Sequence, residues 1–449
     1  MRFIPHTDSD LAAMLETVGV ARLDDLIAHV PEALRATAAI KLDRGRGEAE
    51  VAAELASLAA NNRAAHGCPS FLGAGCYRHY VPAAVRAITA RAEFATGYTP
   101  YQAEASQGTT QAIFEFQTLM TQLTALEVAN ASMYDGASAA AEAVLMAHRV
   151  LPKRSLVAVS RALWPDYRAT IRTYLSAQEH LELAEVPFDP ATGVTDPAAL
   201  EKLSSDRLLC TVTGYPNAFG AIEPLAKIAE LSHRAGALSI SVTAEALALG
   251  LLKPPGQLGA DIAVGEAQSF GIAPQFGGPG LGFMAARMAH VRQMPGRLVG
   301  QTADAHGRRA FCLTLATREQ HIRRERATSN ICTNNSLCAL TATVYLALMG
   351  RRGLLELAAR NVELAHEAAD MLAAANIKPR FSAPFFNEFV ATVPNPQTAI
   401  EAAARRGVLA GVALARDYPE LPDGILISVT EMNSRPEFDL LRAVLEGGH

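Results

Sequence analysis

The stretch Gly259-Ala260-Asp261-Ile262-Ala263-Val264-Gly265-Glu266-Ala267-Gln268-Ser269-Phe270, continued by Gly277-Gly278-Pro279-Gly280-Leu281-Gly282-Phe283, reads as a strand, an irregular turn and a glycine loop opening onto another strand. Upstream the same apolar runs alternate with helical spacing. A helix from Asp135 to His148, a strand at Leu156 to Val159, a helix from Asp166 and a strand near Leu183 to Val186 come first. Leu208 to Val212, a helix from Glu223 to Arg234, Ala237 to Val242, Asp261 to Val264 and Gly282 to Ala285 extend the rhythm. Such alternation predicts a mostly parallel sheet covered by helices on both faces.

Further out, Thr7 is placed to cap a helix carrying Leu11, Leu15 and Val18, which Gly19 ends. A second helical pattern covers Val51 to Leu58. Pro82 opens a helix that Gly97 closes, and a longer one is expected from Thr109 to about Ala129. After Ala285 the rhythm weakens through an arginine-rich span, then helices are predicted at Asn335 to Met349 and Leu354 to Ala374. Strands return near Phe389 to Val393 and Ile425 to Val429. The expected layout is an N-terminal helical arm (1–62), a large α/β domain (63–310) and a smaller C-terminal α+β domain (311–449).

Composition narrows the function. With 40 basic and 45 acidic residues among 449, the net charge is -5 and no long basic block exists, so nucleic acid gains little electrostatic attraction. The longest apolar runs, such as Ala137 to Leu145, are broken by Ser138 and Glu142, and no signal is read at the N-terminus, so a cytoplasmic chain off the membrane is expected. The cysteines form no disulfide framework. Cys68, Cys76 and His79 offer one Cys-x-x-His pair with no second close pair to complete a tetrahedral metal site, so no metal is expected.

Three segments carry chemistry. Tyr98-Thr99-Pro100-Tyr101-Gln102-Ala103-Glu104-Ala105-Ser106-Gln107-Gly108 gathers two phenols, an amide and a carboxylate at the mouth of a helix. It is either a functional loop or a helix cap, with Ser106 as the capping residue. His321-Ile322-Arg323-Arg324-Glu325-Arg326-Ala327-Thr328-Ser329-Asn330-Ile331-Cys332-Thr333 is strongly basic, and a hinge folded against Glu319 and Glu325 accounts for its individual arginines. The opening stretch is the third. All three resemble the P-protein of the glycine cleavage system, as do Asn130-Ala131-Ser132-Met133-Tyr134-Asp135-Gly136 and Thr430-Glu431-Met432-Asn433-Ser434, so the resemblance covers nearly the whole chain.

The resemblance implies a fold-type I pyridoxal-phosphate-dependent transferase fold, like that of aspartate aminotransferase, in the large domain. In that family's catalytic half, the residue two before the matching phenylalanine is the lysine that holds the cofactor, preceded by histidine. Here those positions are Gln268 and Ala267, and an amide cannot condense with the cofactor aldehyde. Trp164 stands where histidine is usual, Arg326 where lysine is usual, and Thr243-Ala244-Glu245 replaces the aspartate that pairs with the pyridine nitrogen. Six lysines are present; Lys253, before Pro254-Pro255-Gly256, is the rival anchor for a free-standing pyridoxal-phosphate enzyme and reads better as a surface residue.

This chain resembles the first of the two homologous chains of a split P-protein. Pyridoxal phosphate is then expected on the second chain and none on this one. The resemblance implies joint decarboxylation of glycine, with the aminomethyl group passed to the lipoyl arm of the H-protein. Tyr98, Tyr101, Gln102 and Glu104 are the residues expected to reach the partner's site. A scaffold with no active-site groups of its own is the non-enzymatic alternative.

Overall fold

The computed structural model describes residues 6–38, 42–62, 64, 67–95 and 99–446 and divides into two compact units, Met1–Ala64 and Ala65–His449. In the first unit, Thr7 accepts from the Asp10 amide and Gly19 adopts a left-handed φ of 82°, bounding α1 (Asp8–Val18) where the sequence placed it. Helices α2 (Leu23–Leu26), α3 (Glu32–Thr37) and α4 (Glu48–Ala59) follow, and none of the four contains a buried residue.

The second unit opens with Ser70 and Phe71, which pair with Leu409 near the other end of the chain. Two short helices, α5 (Ala83–Thr89) and α6 (Ala92–Ala95), stand where a single helix was expected. Helix α7 (Gln107–Thr124) stops earlier than anticipated, because Ala125 turns left-handed at φ 53° and β1 (Val128–Ala129) begins.

The expected rhythm then appears as α8 (Gly136–Val150), β2 (Leu156–Ser160), α9 (Pro165–Leu175), β3 (Glu182–Val186), α10 (Pro197–Leu203) and β4 (Leu208–Gly214). It continues with α11 (Leu225–Arg234), β5 (Leu238–Thr243), β6 (Ile262–Glu266) and β7 (Gly282–Ala286). The seven strands lie in the order β1-β7-β6-β5-β4-β2-β3; β7 runs antiparallel to both neighbours and the other pairs are parallel. Central strands β2, β4, β5 and β6 are buried throughout, so their sequences read as continuous apolar or small-residue runs.

The arginine-rich span after β7 contains a hairpin, β8 (Leu298–Ala303) with β9 (Arg309–Thr314), not anticipated from the sequence. Two glutamines of α7 hold it by acting as surrogate strand backbone. Gln117 exchanges both amide bonds with Val299 at 3.0 and 2.9 Å, and Gln107 does so with Phe311 at 2.8 and 2.9 Å. The junction placed after residue 310 falls inside β9.

After α12 (Gln320–Arg323), α13 (Ser336–Ala374) is two helices joined at Gly350, whose φ of 60° and ψ of 177° break the run between the two helices read from sequence. The C-terminal sheet has the order β10-β12-β11, from β10 (Glu388–Thr392), β11 (Val412–Ala413) and β12 (Gly424–Ser428). It packs with α13, α14 (Pro396–Arg405) and α15 (Arg435–Glu446) around Leu372, Phe389, Ile427 and Leu441. Among the described residues no helix is long and apolar enough to cross a membrane.

Candidate functional site

In a parallel sheet the ends of the strands converge with the N-termini of the following helices, and polar side chains gather there at low cost in unpaired backbone groups. Here Glu266 closes β6 and faces the start of α8. Its carboxylate accepts from the Gly136 amide at 3.0 Å and the Leu281 amide at 2.5 Å. Burial pushes Glu266 up to about 7 against those two donors, while Asp135 adds repulsion. Asp135 caps the same helix by accepting from the Ser138 amide at 2.7 Å. The electropositive end of α8 is thus filled by two side chains of the chain itself.

Two residues beyond Glu266 the buried Gln268 meets the backbone of Tyr77. Its Oε1 accepts from the Tyr77 amide at 2.9 Å, and its Nε2 donates to the Tyr77 carbonyl at 3.0 Å and to the Ile272 carbonyl. Every strong hydrogen-bonding direction of the amide except one acceptor lobe is used.

Tyr77 belongs to a strap, residues 73–80, that other buried carboxylates also hold. Glu388 at the start of β10 accepts from the Ala74 amide at 2.7 Å and the Tyr77 hydroxyl at 3.0 Å. Burial pushes Glu388 up to about 8 despite those donors. His79 lies between Glu245, just after β5, at 3.0 Å and Glu431 at 2.8 Å. Burial opposes charge on this imidazole, but the two carboxylates prevail and raise it to about 10. Glu431 also accepts from the Tyr80 amide at 2.7 Å and from Asn361 at 3.0 Å, and His79 with these donors outweighs burial to bring it down to about 2. Trp164 is buried at the start of α9, with its Nε1 lacking a partner among the described residues.

The residues singled out from sequence are dispersed. Tyr98 lies outside the described residues. Tyr101 is about half exposed, its hydroxyl accepting from Arg297 at 3.0 Å and its ring edge-on to His321 at 5.7 Å, so two motifs distant in sequence meet. Gln102 and Glu104 are exposed, with no side-chain hydrogen bond among the described residues. Ser106 occupies the capping position of α7 but makes no side-chain cap bond. Glu319 does not neutralise the arginines after it; it lies 3.7 Å from Arg297 and 3.6 Å from His321. Lys253 is exposed in a turn after β5. Of the suggested metal trio, His79 has both ring nitrogens committed to carboxylates and Cys76 is exposed.

Sequence reading passed over Tyr77 and Glu388, weighed His79 only as a metal ligand, and named Glu245, Glu266 and Glu431 without giving them a role. The available signal was a charged residue ending a fully apolar strand, as Glu266 does in Ile262-Ala263-Val264-Gly265-Glu266.

The sheet order and the C-terminal sheet define a fold-type I pyridoxal-phosphate transferase architecture. A NifS-like protein shares this fold with a TM-score of 0.63 at 14% identity, over 84% of this chain and 98% of that one. The family model described as glycine cleavage system P-protein matches residues 1–445, and the chain belongs to that family. It is 51% identical over 436 residues to the probable glycine dehydrogenase (decarboxylating) subunit 1 of Anaeromyxobacter dehalogenans, covering 96% of this chain and 97% of the relative. The namesake in Geobacillus kaustophilus is 48% identical over 451 residues, covering 100% and 99%. A crystal structure of glycine decarboxylase (P-protein) of the glycine cleavage system in inhibitor-bound form matches with a TM-score of 0.91 at 43% identity, over 100% of both chains.

Pyridoxal phosphate needs an amine for its aldehyde and donors for its phosphate. At the position of the amine this chain has an amide bonded to Tyr77 and Ile272, and at the start of α8 it has carboxylates on the Gly136 and Ser138 amides. These residues do not fit the cofactor.

Proposed function

We propose that this chain is the cofactor-free subunit of a two-chain glycine dehydrogenase (decarboxylating). In this reading a homologous partner holds pyridoxal phosphate on its own lysine. Together the two chains release carbon dioxide from glycine and hand the aminomethyl group to the lipoyl arm of the H-protein in the cytoplasm. Family membership and relatives called subunit 1 support the assignment to this system. The observation that carries the division of labour is the filled site: Gln268 is bonded to Tyr77 and Glu266 sits on the first turn of α8.

The contribution of this chain to the shared cleft is assigned to Tyr98, Tyr101, Gln102 and Glu104. Exposed polar side chains with no hydrogen-bond partner among the described residues are available to a second chain, as Gln102 and Glu104 are. Glycine offers no side chain to grip, so groups around its carboxylate must orient it. Tyr101→Phe and Glu104→Gln should each lower glycine–carbon dioxide exchange about tenfold, roughly 1.4 kcal/mol of transition-state stabilisation, with the complex intact by size exclusion. Unchanged exchange, or dissociation of the complex, would favour the scaffold alternative.

A further inference from the structure

The basic motif at 321–333 builds a second polar cavity. Its volume is about 340 Å³, within the small-molecule range, and its walls carry the guanidinium groups of Arg149, Arg292, Arg318, Arg323 and Arg326 beside Thr328, with no carboxylate among the described lining residues. Arg149 ends α8, whose 15 residues span roughly 22 Å, so this cavity lies at the opposite end of that helix from Glu266.

Charge there is poorly balanced. Arg318 is spent on backbone carbonyls of Met294, Gly296 and Leu315. Arg149 donates to the Gln293 carbonyl at 3.0 Å and, among the described residues, has only Glu142, at 3.9 Å, as a counter-charge. Glu142 is itself raised by burial and receives a hydrogen bond from Ser329 at 2.9 Å. Burial lowers Arg149 to about 10, with Glu142 opposing and Arg318 adding to the drop. Arg326 pairs only with the exposed Glu325, at 3.8 Å, and neither Arg292 nor Arg323 forms an ion pair among the described residues. Leu315, part of the lining, and Arg324, between the lining residues Arg323 and Arg326, both have φ near 53°, a conformation that ordinary side chains adopt at a cost.

We propose that this arginine cavity binds a small multivalent phosphate oxyanion, held by several guanidinium groups at once. Planar guanidinium forks match phosphate oxygens in pairs, and a concave cluster excludes the flat face of a folded partner better than it excludes a compact anion.

Titration calorimetry of the full chain with pyrophosphate, at ionic strength matched with sodium chloride, tests it. Saturable one-to-one binding is expected, weakened at least tenfold in Arg292→Gln/Arg323→Gln, two exposed positions whose loss leaves the fold intact. A thermal upshift of the unaltered chain by pyrophosphate but not by chloride is the expected second readout. Binding that does not saturate, binding equal in the double variant, or an upshift reproduced by chloride would each overturn the assignment.

Discussion

At the scale of single residues, the proposed division of labour rests on Gln268 and Glu266. Gln268 is more than a missing lysine, since its amide pairs with both backbone groups of Tyr77 as a neighbouring strand would. Gln268→Lys therefore removes the acceptor of the buried Tyr77 amide and leaves Glu266 seated on α8. The isolated variant should lose about 1–3 kcal/mol of stability in urea denaturation, the usual cost of orphaning a buried polar group. It should gain no glycine decarboxylation. Activity of that variant without a partner would show that the filled α8 terminus is no barrier.

At the scale of elements, the strap 73–80 joins the end of β5 to the C-terminal sheet through charge. The His79 folded value of about 10 lies above its usual 6.5. Its stabilisation is therefore complete below about 6.5 and declines as pH rises toward 10. Glu431, lowered to about 2 from 4.5, contributes fully above 4.5 and loses its contribution as pH falls toward 2. The stability gap between the unaltered chain and His79→Gln should thus be widest between these limits and narrow from pH 6.5 to 9.5 in urea titrations. A gap that stays constant over that range would mean His79 is neutral in the folded chain.

The elements also mark how far the sequence could be read. The central strands were legible because burial on both faces leaves apolar runs such as Leu208 to Val212. The β8/β9 hairpin was not, since its outer half is exposed and its hold on α7 comes from Gln107 and Gln117, which look like ordinary helix-surface residues. The strap was illegible for a related reason. Its partners lie up to 352 positions away, as in the bond from His79 to Glu431, and nothing local in Tyr77-Arg78-His79 signals them. Gln268 drew notice because the family resemblance fixes a lysine at its place; the seat of Glu266 on the first turn of α8 needed the fold.

For the whole molecule, half of the residues are hydrophobic, and the N-terminal unit keeps Leu23, Leu34, Leu55 and Leu58 more than half exposed. An arm with no buried residue among those described is suited to covering another chain. The chain made alone should self-associate by light scattering, and removing residues 1–62 should abolish partner binding. A clean monomer at high concentration, or a truncated chain that still assembles, would remove the arm from the interface.

In the proposed division of labour the chemistry needs two chains and only the partner holds the cofactor. Glycine–carbon dioxide exchange should be measured for this chain, its partner and their mixture, each with pyridoxal phosphate, followed by borohydride reduction and peptide mapping. Full exchange should appear only in the mixture, with the pyridoxyl-lysine in the partner. Exchange by this chain alone, or a pyridoxyl group on any of its six lysines, would overturn that division of labour.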